Sequence, residues 1–367
     1  MKFRFLNAGE SHGECLSAII EGTPANFEID IEKINKELSR RQTGYGRGAR
    51  MTIEKDRVKI KSGLRFGMTT GAPIFLEIEN KDFKNWAIPM SCEKIEENEL
   101  NLKLINDKRI TKVRPGHADL SGAIKYNQKD IRNILERSSA RETATRVAVG
   151  AIAKQVLEKF NIKITSEILS INNIPYENKN EIMEEIEKAK ENGDSLGGSF
   201  KVKIENLPIG LGSFVFWDRR LDGLLAQAIM SIQAVKSVEF GMGSEVANHL
   251  GSEVQDEIFY NGKKVYRKTN NAGGIEGGMS NGEPVVIKAS MKPIPTLRKS
   301  LKSIDLLTKE SYNAHFERAD VCAVEACAVV AEAMAAIILL DQFLQKFGGD
   351  SYLETKNNLQ NYLLLEY

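Results

Sequence analysis

VCAVEACAVVAEAMAAIILLDQFL, residues Val321 to Leu344, is the most apolar stretch of the chain, and how it is read sets the architecture. Length and hydropathy alone would permit a membrane span. Glu325, Glu332 and Asp341 argue against one, because a charge at bilayer depth is costly. The segment therefore reads as a buried helix. Its many alanines, with Cys322 and Cys327, let neighbouring backbones approach closely, which suits the centre of a multilayer fold or a subunit interface.

The rest of the chain has enough material to surround such a helix. Its 367 residues, 42% apolar and 28% charged, describe a globular protein with a full core and exclude a disordered tail protein. Fifty-one Lys and Arg stand against 50 Asp and Glu, a net charge of +1 that offers no general attraction to nucleic acid or anionic membrane. Anion chemistry must then come from local clusters. Cys15, Cys92, Cys322 and Cys327 form neither a CxxC pair nor a disulfide framework, and no signal-type segment precedes them, so a reducing cytoplasm is expected.

Periodicity places further elements on either side. Strands are expected at Phe3 to Leu6, Leu16 to Gly22, Thr52 to Lys61 and Ile74 to Ile78, with an amphipathic helix from Asp30 carrying Ile31, Ile34 and Leu38 on one face. Arg141 to Phe160 is the best helix of the first half. Glu177 to Asp194 is highly charged and reads as a surface helix and loop, a candidate boundary between halves of about 1–170 and 195–367 within one 367-residue domain. Beyond it, strands are expected at Gly198 to Ile204, Phe214 to Phe216 and Glu283 to Met291, with a helix from Leu221 to Val235. No sequence period supports a true repeat.

Chemistry is concentrated in the loops. Gly44-Tyr45-Gly46-Arg47-Gly48-Ala49 fits a loose dinucleotide pattern, but it follows a helix where that fingerprint requires a preceding strand, and no P-loop pattern occurs. What remains is Arg40, Arg41, Arg47 and Arg50 on a glycine scaffold: either a solvated basic loop or a bidentate clamp for carboxylate or phosphate. His12 and His117 each sit in a glycine-bracketed turn, Gly9-Glu10-Ser11-His12-Gly13 and Arg114-Pro115-Gly116-His117-Ala118-Asp119. Such a pair could move protons near neutral pH, or each could play a hydrogen-bonded structural part. His249 and His315 lack such surroundings, and no histidine spacing or adjoining carboxylate suggests a metal site.

Arg137-Ser138-Ser139-Ala140-Arg141-Glu142-Thr143 enters a helix, where hydroxyls and amides either bind an anion or cap the helix in a Ser/Glu box. Two glycine pairs between Ala272 and Gly282 let the backbone approach a flat ligand, and Lys292-Pro293-Ile294-Pro295-Thr296 adds a rigid turn with a cation. Arg318 and Asp320 open the last helix, where Asp320 is either its N-cap or a base.

Together these blocks resemble the chorismate synthase family: GESHG, RRQTGYGRGARM, RPGHAD, RSSARETATRVAVGAIA, NNAGGIEGGMSNG with KPIPT, and RADVCAVEA occur in that family's order from Gly9 to Cys322. The resemblance implies an α+β fold, a layered sandwich of helices and antiparallel sheets, assembled as a homotetramer. It implies a lyase reaction, the anti-1,4-elimination of phosphate from 5-enolpyruvylshikimate 3-phosphate with reduced FMN, with no partnership with nucleic acid or membrane. By similarity His12 assists the leaving phosphate, His117 protonates the reduced flavin, and Asp320 works with the flavin on the ring proton. FMN binding is implied for Arg137, Ser138, Ser139, Gln233, Ala234, Gly277, Lys292, Pro293, Ile294, Pro295, Thr296 and Arg318. Arg41, Arg47 and Arg50 are implied for the anionic substrate, and Arg41 and Arg47 also for NADPH where a member reduces its own flavin. The chain differs from some branches of the family at Asn133-Ile134-Leu135-Glu136, where those carry glycines, and at Ile294-Pro295-Thr296, where they carry a serine pair. Two other readings are an anion- or RNA-binding protein using the Arg40 to Arg50 loop, and a different flavin enzyme. Against the first, Tyr45 is the only aromatic residue in that loop.

Overall fold

Two antiparallel sheets enclose a double layer of helices in the computed structural model, which describes residues 2–48, 55–262, 265–299, 301–313 and 320–365. The first sheet contains β1 (Arg4–Ala8), β2 (Cys15–Glu21), β3 (Val58–Ile60) and β4 (Ile74–Glu79), in the order β1-β2-β4-β3. The second contains β5 (Lys163–Ile171), β6 (Ile174–Pro175), β7 (Gly198–Glu205), β8 (Val235–Phe240) and β9 (Val285–Met291), in the order β8-β9-β7-β5-β6. Alternation fixes which face of each turns inward. Leu16, Ala18 and Ile20 of β2 and Ile74, Leu76 and Ile78 of β4 are buried, as are Phe200, Val202 and Ile204 of β7.

The helices are α1 (Ile31–Gln42), α2 (Arg132–Ser138), α3 (Thr143–Glu158), α4 (Lys179–Glu191), α5 (Leu221–Met230), α6 (Val324–Phe347) and α7 (Tyr352–Leu363); α1, α3 and α6 lie between the sheets, α5 packs on α6 and β8, and α7 packs on α6. Helix α3 packs against the first sheet, α6 against the second, and the two helices face each other with α1 across both. At their crossing a Cβ on Gly150 would lie 2.4 Å from the Cβ of Ala333 and 2.5 Å from its Cα, so only glycine permits this approach. The main apolar core runs from Phe3 to Leu359, and a smaller one gathers Ile110, Val113, Ala123, Ile131 and Leu135 beside α2.

Helix α6 is long and apolar enough to cross a membrane, yet 94% of its most apolar window is buried inside the fold. Its acids have internal partners. Glu332 accepts from Arg40 at 2.8 and 2.9 Å, Lys154 at 2.7 Å and Ser166 at 2.5 Å. Asp341 accepts from the backbone amides of Lys2 and Phe3 at 2.6 and 3.0 Å, and Glu325 accepts from the Tyr176 hydroxyl.

Several expected boundaries need correction. The helix expected from Arg141 to Phe160 is α3, Thr143–Glu158, entered through a short 3-10 turn at Ala140–Glu142 that Ser139 (φ −62°, ψ 140°) separates from α2. Helix α5 ends at Met230, not Val235. Ala234, at φ +69°, turns the chain into β8, so Gln233 and Ala234 lie in a helix-to-strand turn. Helix α6 starts at Val324 and Ala323 precedes it without a side-chain cap, so Asp320 is not its N-cap. Phe214 to Phe216 is no strand: it has no sheet neighbour and is exposed together with Trp217. The charged stretch forms the surface helix expected there, α4, whose inner face buries Ile182, Ile186 and Ala189 in the main core. Of the strand expected at Thr52 to Lys61, Val58–Ile60 is paired, and residues 52–54 lie outside the described residues.

Candidate active site

The turn after β1 presents His12 against two rigid neighbours. Its Nδ1 lies 2.8 Å from Oε1 and 3.1 Å from Oε2 of Glu136, and its backbone amide donates to Oε2 at 2.8 Å. The ring stacks on Trp86 with centroids 4.0 Å apart. Asn80 holds the turn from below, donating to the carbonyls of Gly13 at 2.7 Å and Glu10 at 3.2 Å. Burial pushes the Glu136 carboxyl up, but the His12 ring and amide, helped by Arg132, outweigh this and hold it below the usual carboxylate range.

Asn80 also accepts from Arg141 Nε at 3.0 Å, and this joins the histidine turn to a buried cation cluster. Arg141 donates to both oxygens of Asp56 at 2.7 and 2.6 Å, and Arg41 donates to the same carboxylate at 3.1 Å and to Thr143 at 3.3 Å. Arg41 is buried, and its guanidinium is depressed below the usual arginine range by burial, against the pull of Asp56 and with the push of Arg141 and Arg47. Two arginines share one carboxylate at Asp56, and Arg41 Nε is buried with no hydrogen-bond partner among the described residues. A surplus of desolvated positive charge of this kind suits an anionic ligand. Arg47 lies alongside, paired with Asp320 at 3.0 Å, and Asp320 also accepts from the Gly48 amide at 2.6 Å.

The second histidine is built differently. His117 Nδ1 lies 2.5 Å from Oδ1 of Asp119, which is fully buried and also accepts from Arg114 at 2.8 and 3.1 Å. Burial would raise the Asp119 carboxyl, but His117 and Arg114 drive it well below the usual carboxylate range. Arg114 continues to Thr296 at 3.0 Å, and Lys292 Nζ donates to the Gly116 carbonyl at 2.7 Å, so the KPIPT turn and the His117 turn form one unit.

Hydrogen bonds run from one histidine turn to the other. Ser139 bonds Ser11 at 3.3 Å, and three residues along from Ser139, Glu142 accepts from Gln233 at 2.7 Å. The Lys292 amide then donates to Ala234 at 2.9 Å. Asp320 joins this frame through its neighbour Val321, which bonds both Gly46 and Leu196 at 2.8 Å, while Ser195 donates to Ile294 at 2.7 Å. A Cβ on Gly197 would come within 2.9 Å of the Pro293 nitrogen.

Of the residues singled out from sequence, His12, His117, Asp320, Arg41, Arg47, Ser139, Gln233, Ala234, Lys292, Pro293, Ile294 and Thr296 share this frame. Arg137 reaches it by donating to Gly9 and Asn7 at 2.7 to 3.1 Å. Ser138 makes a 3.5 Å bond to Leu135 within α2, and Pro295 packs beside Gly116. Gly277, at φ +56°, lies on a small hairpin that none of these bonds reaches. Arg50 and Arg318 lie outside the described residues. Of the alternatives open at Ser139, capping is realised, since it accepts from the Arg141 amide at 3.3 Å. Glu142 does not complete a capping box; it holds Asn7, Arg146 and Gln233 instead. The sequence reading missed Glu136, Trp86, Asn80 and Asp56. Each lies far along the chain from the group it serves and in no glycine-framed turn.

With this geometry in hand, comparison with known proteins is specific. The family model described as chorismate synthase matches residues 3–344. The chorismate synthase of Caldanaerobacter subterraneus subsp. tengcongensis is 56% identical over 364 residues, and that of Thermoanaerobacter pseudethanolicus is 56% identical over 362, each comparison covering 98% of both chains. A solved structure described as the crystal structure of chorismate synthase superposes with a TM-score of 0.78 at 42% identity, covering 99% of this chain and 98% of that one.

Proposed function

The chain belongs to the chorismate synthase family and is a carbon–oxygen lyase acting on phosphates, and from that premise we propose how its residues divide the work. The reaction removes the 3-phosphate and a ring hydrogen from 5-enolpyruvylshikimate 3-phosphate: one C–O and one C–H bond break, a ring double bond forms, and chorismate and phosphate leave. The observation that carries the division is the hydrogen-bonded frame linking the His12 turn, Gln233, the KPIPT turn and the His117 turn beside the Arg41, Arg47 and Arg141 cluster.

The arginines hold the phosphate and carboxylates of the substrate, with Arg50 joining them from outside the described residues, and they offset charge that builds on the departing phosphate. His12, with Nδ1 turned to Glu136, delivers a proton to that phosphate from its other nitrogen. Asp320, steered by Arg47 and the Gly48 amide, takes up the ring proton.

Reduced FMN fits the remaining donors and acceptors. Gln233 keeps a buried Oε1 with no hydrogen-bond partner among the described residues, while Arg137, Ser138, Ser139, Lys292 and Thr296 supply hydroxyls and cations suited to a phosphate tail. When held there, reduced FMN would supply electron density to the elimination and have it returned, which leaves no net redox change. His117, held by Asp119, manages the flavin's proton. Ala234, Pro293, Ile294 and Pro295 shape the cradle, and Gly277 and Arg318 are assigned to FMN by resemblance to the family.

We further infer a single domain, a homotetramer that covers the exposed run Phe214 to Trp217, a cytoplasmic location consistent with four free cysteines, and NADPH as reductant at Arg41 and Arg47. Protein supplied anaerobically with chemically reduced FMN and 5-enolpyruvylshikimate 3-phosphate is expected to release one phosphate per chorismate. Absence of product overturns the proposal. A parallel reaction with oxidised FMN and NADPH yields product only if the protein reduces its own flavin.

A further inference from the structure

Glu136 is a carboxylate with a 1% exposed side chain, standing on α2 directly behind the His12 turn. Both its oxygens serve residue 12: Oε1 faces Nδ1 at 2.8 Å, and Oε2 takes the backbone amide at 2.8 Å while lying 3.1 Å from Nδ1. Its main-chain carbonyl accepts from the Ser11 amide at 3.0 Å, so one residue grips the turn at three points. On its other side Arg132 donates to Oε1 at 3.1 Å.

The imidazole has little freedom left. It lies on Trp86 with an interplanar angle of 25°, and the indole is itself pinned by an N–H bond to Asp82 at 3.1 Å and by Lys108 and Arg132, 4.3 and 5.0 Å from its ring centroid. An ionised carboxylate can only accept, so the ring nitrogen facing it must carry hydrogen. The opposite nitrogen, Nε2, then carries no hydrogen in the neutral ring.

We infer that Glu136 is a positioning residue for the elimination, locking the His12 ring with Nδ1–H inward so that Nε2 is the atom through which a proton passes to the leaving phosphate. This rests on the reading of His12 as the acid given above. Glutamine at 136 keeps the size of the side chain but has one acceptor where two are used, and its amide can turn an N–H toward Nδ1 and favour the opposite tautomer. A carboxylate that served only to neutralise Arg132 would leave the tautomer of His12 unaffected.

Nitrogen-15 spectra of the intact protein, with the His12 signals identified by their loss in His12→Ala, decide the matter first. The inference expects hydrogen on Nδ1 and a bare Nε2 in the neutral ring; hydrogen on Nε2 with a bare Nδ1 overturns it. Because this reads the unaltered chain, it holds even if a variant at 136 does not fold. In Glu136→Gln, kcat for phosphate release should fall at least about tenfold with KM for 5-enolpyruvylshikimate 3-phosphate unchanged, and the Nδ1–H signal should weaken. Wild-type kcat in folded Glu136→Gln, alongside an impaired His12→Ala, removes the positioning role alone. Wild-type kcat in His12→Ala removes the acid and this inference with it.

Discussion

A histidine that passes protons needs one nitrogen anchored so that the other carries the exchange, and the two histidines here are anchored by different acids. His12 relies on a glutamate 124 residues away, whereas His117 uses Asp119 two residues on, itself clamped by Arg114. Replacing either histidine by alanine should lower turnover by roughly ten- to ten-thousand-fold, the range for losing a proton-transfer group, while melting temperature stays near that of the parent. Steady-state phosphate release checks this, and unchanged turnover in either variant removes that residue from the mechanism. The turns were legible in the sequence because glycine and proline mark where a side chain is held outward, and Asp119 lies within the same hexapeptide as its histidine. Glu136 was not legible, since nothing local relates position 136 to position 12; the pairing exists only once α2 is laid against the β1–β2 turn.

At the scale of elements, the decisive contact is the crossing of α3 and α6. Gly150 is a poor helix former, by about 1 kcal/mol relative to alanine, and propensity alone would favour Gly150→Ala. The crossing reverses that expectation, because the added methyl would meet backbone atoms of Ala333 at 2.5 and 2.7 Å that cannot step aside cheaply. Gly150→Ala should therefore destabilise by about 1–3 kcal/mol, seen as a lower urea midpoint, and a stabilised variant would show that the helices can separate freely. Elements with a clean period, such as α1 and β4, were readable to within a residue or two. The end of α5 was not: left-handed Ala234 turns the chain while the apolar pattern runs on to Val235. Phe214 to Phe216 has strand composition but no neighbour to pair with, which composition cannot reveal.

For the molecule as a whole, the layers are held in register by charge as well as by apolar packing. Glu332 of α6 binds Arg40 of α1, Lys154 of α3 and Ser166 of β5, joining three helices and a sheet at one carboxylate. Burial pushes this carboxyl up, yet Arg40, Lys154 and Ser166 bring it down from 4.5 to about 2. A depressed acid stabilises the fold above its unfolded value and loses that contribution as pH falls through its folded one. Glu332→Gln should thus cost about 2–4 kcal/mol at neutral pH. Its deficit against the parent in urea unfolding should shrink between pH 4.5 and about 2; a deficit independent of pH would assign the effect to shape alone. Composition and motifs announced a buried helix and a family resemblance, but the order of strands in two sheets follows from pairings across the whole length of the chain, which no window of sequence contains.

That central position of α6 also dictates a schedule for biosynthesis. A ribosome adding about 5–20 residues per second completes α3 well before α6, which packs on it, so the inner face of α3 waits roughly 10–40 seconds for its partner. Until α6 emerges, α3 and the second sheet have nothing between them, and a nascent chain shows that apolar surface to whatever surrounds it.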